Sequence, residues 1–376
     1  MSNIAQGFLT ASKAGYPEGT PKAKFGAGAY THVGDGVGDK QWVDYVCGLG
    51  AALLSQGNCP SLPTQQEERL AFKLSELFPV CEKVKILKTG TGACNAAVRI
   101  ARAYQQNNDN DDWPAGCGTG YHGWGNTFIS DEEPGTGTVS DDYIRAKNFD
   151  ELIGYLKTGG WGYCIIEPVE LDLNVQDELK EIRRLCSEKG IILIFDEIIT
   201  GFRFPEYSVS NYFGIQPDLI CLGKGLGNGH PISILGGSAD IMETDGYFIS
   251  GTFFGELSGI ESALSTLDYL NTHKINDLWQ RGQETITAFN EISDKIQLYG
   301  YPTRCIWKGE TVFITTFCQQ MQKRGYLLHP RVWFITHAHT STINAQFVDD
   351  SKQCINEIID KNIQLKGVVA QPLFKR

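Results

Sequence analysis

The apolar positions along the chain change period several times, and each change marks an element. In residues 65–78, "QQEERLAFKLSELF", Leu70, Leu74, Leu77 and Phe78 fall at helical spacing. "KVKILKTGTGACNAAVRIARAYQ" then reads as a strand, a glycine turn and a helix rich in Ala and Arg. "WGYCIIEP" reads as a buried strand stopped by proline, and "DELKEIRRLCSEKG" as a helix ended by glycine. "IILIF" and "DLICLG" are strands apolar on both faces. Continuous apolar strands separated by helices predict an α/β large domain whose mainly parallel sheet is covered by helices on both sides.

The flanks follow other patterns. Residues 1–26 read as irregular, and "GAYTHVGDGVGDKQWVDYVCG" as a small β-meander. From "GIESALSTLDYLN" onward come a helix, a long amphipathic helical region and short strands such as "TVFITTF" and "VWFITHAH", which predict a smaller α+β domain. The expected division is a segment 1–48 that joins the small domain, a large domain over 49–270, and a C-terminal small domain over 271–376.

Composition narrows the classes of function. A chain of 376 residues exceeds what one compact core usually holds. A net charge of -11 with no basic block repels phosphate backbones, so nucleic acid is excluded as the main partner. No run approaches the ~20 apolar residues that span a bilayer, and "MSNIAQGFLTASKAGYPEGTPKAKFG" lacks the apolar core of a signal peptide. Eleven scattered cysteines without a C-x-x-C pair read as reduced thiols, so the expected location is the cytoplasm, away from membranes. His337 and His339 in "THAHT" would share one face of a strand, but with no third ligand in view they read as a packed pair and no metal site is expected.

Several short constellations carry possible chemistry. Gly90 and Thr91 lie between a strand and a helix, where backbone N–H groups and the helix dipole favour an anion; the alternative is a plain tight turn. Asp196 is the first polar residue after five apolar ones, at a strand's carboxyl end where open α/β sheets bind ligands; otherwise it caps a helix. In "LICLGKGLGNGHPIS" one lysine, Lys224, stands among glycines. Burial there would lower its basicity and make the amine a nucleophile, whereas most loop lysines are merely solvated. Tyr121 in "GYHGWGNTF" offers a ring for stacking on a flat heterocycle, and "GTFFGELSGIESALSTL" is a second Gly-Thr turn before a helix.

The order of these motifs along residues 84–270 resembles the class III aminotransferases, fold type I enzymes that use pyridoxal 5′-phosphate (PLP). Within that family it is most similar to the glutamate-1-semialdehyde aminotransferase branch, and "GYLLHPRVWFITHAHTSTINAQF" resembles the family's C-terminal segment. The resemblance implies that Lys224 bonds to the PLP aldehyde and shuttles a proton, and that Asp196 pairs with the pyridinium nitrogen. It further implies that Tyr121 and Ile198 cover the two ring faces, Gly90 and Thr91 hold the phosphate, and Glu167 of "IIEPVE" stands nearby. Thr252 would reach the phosphate of the neighbouring subunit in a homodimer with active sites at the interface. The implied reaction moves an amino group between a small-molecule donor and acceptor, on glutamate-1-semialdehyde or a similar small amino acid. A keto-sugar aminotransferase and a same-fold racemase or decarboxylase are the alternatives.

The sequence also departs from the family. Its phosphate turn usually reads Ser-Gly-Thr-Glu-Ala, and here Gly92 replaces the acid. The family's amino-terminal substrate arginine has no counterpart, and Arg203 matches a position of mostly structural meaning. The form "YHGW" is associated with relatives acting on sugar or polysaccharide precursors.

Overall fold

The computed structural model of the chain describes residues 3–5, 23–27, 30–33, 40–43, 60–109, 115–129 and 142–370. Two compact units emerge. The larger comprises Met1–Pro168, Gln176–Phe202 and Glu206–Thr272, and the smaller Val169–Val175, Arg203–Pro205 and His273–Arg376.

In the larger unit, β1 (Ala23–Ala27), β2 (Tyr30–Val33) and β3 (Lys40–Val43) form an antiparallel meander. The meander was expected from "GAYTHV" onward, but β1 begins within the stretch read as irregular, because its backbone pairs with β2 from Ala27↔Tyr30 to Ala23↔Val33. Helix α1 (Gln65–Leu77) is capped by Thr64, whose hydroxyl accepts the Glu67 N–H, and it buries Leu70 and Leu74 as its spacing requires.

The central sheet and its helices follow in chain order. They are β4 (Lys83–Leu87), α2 (Gly90–Asp109), β5 (Gly116–Thr119), β6 (Tyr143–Arg145), α3 (Phe149–Thr158), β7 (Tyr163–Ile166) and α4 (Gln176–Lys189). After them come β8 (Ile192–Glu197), α5 (Val209–Phe213), β9 (Leu219–Leu222), β10 (Ser233–Gly237), α6 (Ala239–Met242) and α7 (Leu257–Thr272). The sheet runs β4-β10-β9-β8-β7-β5-β6. Strands β9 to β6 pair in parallel, while β10 runs antiparallel to both β9 and β4. This is the mainly parallel fold type I sheet. Every residue of β7, β8 and β9 is buried, which explains their unbroken apolar runs. Helix α2 lies against β9 and β10 through Ala93, Ala97 and Ala101, small residues that let the helix axis come close to the sheet. Ile4 bridges Val84 of β4 in parallel.

The smaller unit holds α8 (Ile275–Asn290), β11 (Ile296–Tyr301), β12 (Arg304–Gly309), α9 (Thr311–Gln322), β13 (Val332–Phe334) and α10 (Ser341–Asp360), with β11, β12 and β13 antiparallel. Phe289, Trp307, Phe317 and Phe347 form its aromatic centre. Two expectations fail here. "TVFITTF" is the start of helix α9: Ile314, Phe317, Cys318 and Met321 are buried at helical spacing, and that packing overrides a β-rich composition. Strand β13 ends at Phe334, so His337 and His339 do not share a strand face; His339 instead closes a turn, with its Nδ1 accepting the Thr336 N–H at 3.0 Å. No helix among the described residues is long and apolar enough to cross a membrane.

Candidate active site

The carboxyl ends of the parallel strands surround a cleft of about 330 Å³ in the larger unit. Its walls bring together Gly90 and Thr91 after β4, Tyr121 after β5, Glu167 after β7, Asp196 and Ile198 at the end of β8, and Lys224 after β9. Of the residues assigned to the cofactor in the sequence, only Thr252 does not line it; that residue is exposed in the turn before α7.

At one end of the cleft, α2 begins. Thr89 caps the helix: its hydroxyl accepts the Gly92 N–H at 3.0 Å and its carbonyl the Ala93 N–H at 3.0 Å. Helix geometry gives the earlier Gly90 and Thr91 N–H groups no partner within α2, and they suit an anion. A Cβ at Gly90 would come within 3.1 Å of Ile198, so side-chain bulk there would close the slot beside Ile198. Gly123 adopts φ +95°, and a Cβ on it would meet Thr91 Oγ1 at 2.1 Å.

Asp196 stands buried at the carboxyl end of the central strand β8. Its Oδ1 accepts the Ile198 N–H at 3.1 Å. Its Oδ2 lies 2.8 Å from His122 Nδ1 and 3.2 Å from Cys94 Sγ. His122 Nε2 faces the Thr119 carbonyl at 3.1 Å, an acceptor only, so this nitrogen carries a proton. Nδ1, on the other side of the ring, faces the carboxylate, so His122 bridges the Thr119 carbonyl and Asp196. The neighbouring Cys221 thiol, burial and the Asp196 charge push the Cys94 thiol well above its usual range, so it stays protonated. Oδ1 keeps a lone pair for one further donor. An anion cradle, a slot free of side-chain bulk and a carboxylate with acceptor capacity together fit a planar, phosphorylated pyridine.

Strand alternation sends the adjacent Glu197 to the opposite face. Its Oε2 accepts from the Thr200 hydroxyl and the Val209 N–H, and its Oε1 from the Ser210 N–H, all at 2.7–2.9 Å. Burial pushes this carboxyl up, against those hydrogen bonds. Glu197 therefore anchors the start of α5 and stays out of the cleft. Glu197→Ala leaves three buried donors unpaired and should cost about 2–5 kcal/mol, given ~1–3 kcal/mol for an orphaned buried group. Urea unfolding measures it, and Glu197→Gln should recover part of the loss.

Lys224 opens a short 3₁₀ turn, Lys224–Gly227, with φ +38°. A non-glycine residue held in the left-handed region is strained, and such strain gathers at functional sites. The burial expected for Lys224 is not found: its side chain is exposed in the cleft, so the protein walls alone do not desolvate the amine. Tyr121 is fixed through its backbone, its N–H donating to Glu167 Oε1 at 2.6 Å.

Four cleft residues with titratable side chains carried no role in the sequence reading: Cys94, His122, Lys88 and His230. Cys94 follows Gly90 by one helical turn and so shares its face, a signal open to inspection. His122 stood in "GYHGW" without an assignment. Lys88 Nζ pairs with Glu256 Oε2 at 3.0 Å, and Glu256 also accepts the Ser258 and Gly259 N–H groups at the start of α7. Partial burial pushes the Glu256 carboxyl up, but hydrogen bonds from Ser258 and Lys88 outweigh it and hold it down at about 2. The pair's contribution is full above the ordinary carboxyl range, near 4.5, and is lost as pH falls through about 2. A double-mutant cycle with Lys88→Met and Glu256→Gln should give a coupling of about 1 kcal/mol in thermal or urea unfolding.

The class-III aminotransferase model matches residues 164–299. Glutamate-1-semialdehyde 2,1-aminomutase 2 of Lachnoclostridium phytofermentans is 30% identical over 315 residues, covering 72% of each chain. Glutamate-1-semialdehyde 2,1-aminomutase of Syntrophobacter fumaroxidans is 28% identical over 336 residues, covering 77% of each. The fold is like that of an omega-transaminase from Sphaerobacter thermophilus, with a TM-score of 0.70 and 21% identity over 93% of both chains. The chain belongs to the class-III aminotransferase family. It is an enzyme that depends on PLP, the cofactor with which this family works.

Proposed function

We propose that the enzyme moves an amino group on a small amino acid or amino aldehyde bearing a carboxylate, with glutamate-1-semialdehyde as the first candidate. The observation that carries this reading is the convergence of Lys224 and Asp196 at adjacent strand ends in one cleft. The relatives named as glutamate-1-semialdehyde aminomutases support the choice of substrate. PLP, when bound, supplies an electron sink for the charge left when a bond to the substrate α-carbon breaks. In this reading Lys224 Nζ would hold the cofactor through its aldehyde carbon and carry the proton between the substrate α-carbon and that cofactor carbon. Asp196 Oδ1 accepts from the ring nitrogen and keeps it protonated, with His122 and Cys94 fixing the carboxylate. Tyr121 and Ile198 confine the ring between them, and Gly90 and Thr91 bind the phosphate.

The working unit is a homodimer in which Thr252 of each chain reaches the partner's phosphate. A doubly charged group needs more donors than Gly90 and Thr91 offer. All nine described cysteines are free thiols, which supports action in the reducing cytoplasm. Transamination of a keto-sugar is the second reading, favoured by Trp124, a largely exposed indole directly after Gly123 that could stack on a sugar ring. Amino-donor and acceptor profiling of the purified protein separates the two. Turnover of glutamate-1-semialdehyde supports the first reading, and activity confined to keto-sugar nucleotides replaces it with the second.

A further inference from the structure

The floor of the cleft gathers a thiol, an imidazole and a carboxylate. Cys94, His122 and Asp196 each offer a ligand atom within 4.8 Å of the others, and all three residues are buried. They come from three separate elements, α2, the segment after β5, and β8, and all three residues line the same open cleft, which supplies a path from solvent.

The geometry points to a second ligand for this floor: a thiophilic divalent cation, of the zinc and cadmium class, bound by Cys94, His122 and Asp196 in competition with the cofactor. The donor set of one sulfur, one nitrogen and one oxygen suits a borderline-soft cation and not magnesium or calcium, which take oxygen ligands. Three protein ligands leave a fourth position, open toward the cleft. The Asp196–Cys94 separation of 3.2 Å and the Asp196–His122 separation of 2.8 Å both need only a small opening to reach the spacing of neighbouring ligands about such an ion. Binding displaces the hydrogen that Cys94 now points at Asp196, so the thiol gives up its proton as the cation is taken up.

Exclusion of PLP follows from the shared carboxylate. This part of the inference rests on the proposed pairing of Asp196 with the ring nitrogen. A dication on Asp196 occupies the oxygens that would hold the pyridinium and repels its charge. The site is then a cation-sensitive lock on cofactor loading, acting on the PLP-free chain.

The test is a titration of the full-length protein with Cd²⁺, read by the ultraviolet cadmium–thiolate absorption and by proton release in weak buffer. The PLP-free protein should take up one equivalent with proton release, and Cys94→Ala should lose that equivalent. Mg²⁺ should produce no signal. PLP-loaded protein should show the Cd²⁺ equivalent only as its yellow colour is displaced. Absence of the absorption, or its persistence in Cys94→Ala, overturns the site while leaving cofactor binding, read from the visible spectrum, intact. A full cadmium signal in protein that keeps all its PLP overturns the competition and removes Asp196 from the ring nitrogen.

Discussion

Lys224→Ala should lower turnover by at least the ~10²–10⁴-fold that a positioned proton carrier contributes, with PLP still bound but no longer covalently held. Alanine at φ +38° is no more strained than lysine, and the exposed side chain supports little packing, so the fold should be retained. Thermal unfolding of the variant should therefore overlay the parent, while kcat collapses. A variant that keeps its rate assigns the chemistry to another amine, and Lys88, in the same cleft, is the one to examine.

Asp196→Asn should be nearly as damaging for a different reason. The carboxylate sits among the Ile198 N–H, the Cys94 S–H and His122 Nδ1. An amide of the same shape presents its own N–H₂ to at least one of them, and it lacks the charge that keeps a ring nitrogen protonated. A lost hydrogen bond to a charged group is worth about 1.5–3 kcal/mol, so PLP affinity should fall by roughly 10- to 100-fold. Turnover at saturating PLP should fall further, because the electron sink weakens as well. Equilibrium dialysis of PLP and kcat at saturation measure the two losses separately. Unchanged values for both would confine Asp196 to holding the β8 end together.

The larger unit was legible because its strands are buried on both faces and its cleft residues follow strand ends, so apolar runs locate both at once. Asp196 and Lys224 could be found this way, each as the first chemically distinctive residue beyond such a run. Cys94 and His122 could not be joined to Asp196 from the sequence, since nothing in the local pattern says that α2 and the segment after β5 close on the same oxygen. The "TVFITTF" error came from too short a window. Its β-branched and aromatic residues read as a strand, whereas Ile314, Phe317, Cys318 and Met321 show the helical period once the run is followed past Phe317. The exposure of Lys224 was hidden for a related reason. Flanking glycines remove bulk from a lysine, but they do not by themselves bury it.

The most direct test of the account is borohydride reduction of the PLP-loaded protein followed by peptide mapping. Reduction fixes whichever lysine nitrogen is bonded to the cofactor's aldehyde carbon. The account predicts a single modified peptide carrying Lys224, with the label absent from Lys224→Ala. A label on Lys88 instead, or none on protein that retains PLP and activity, would contradict it.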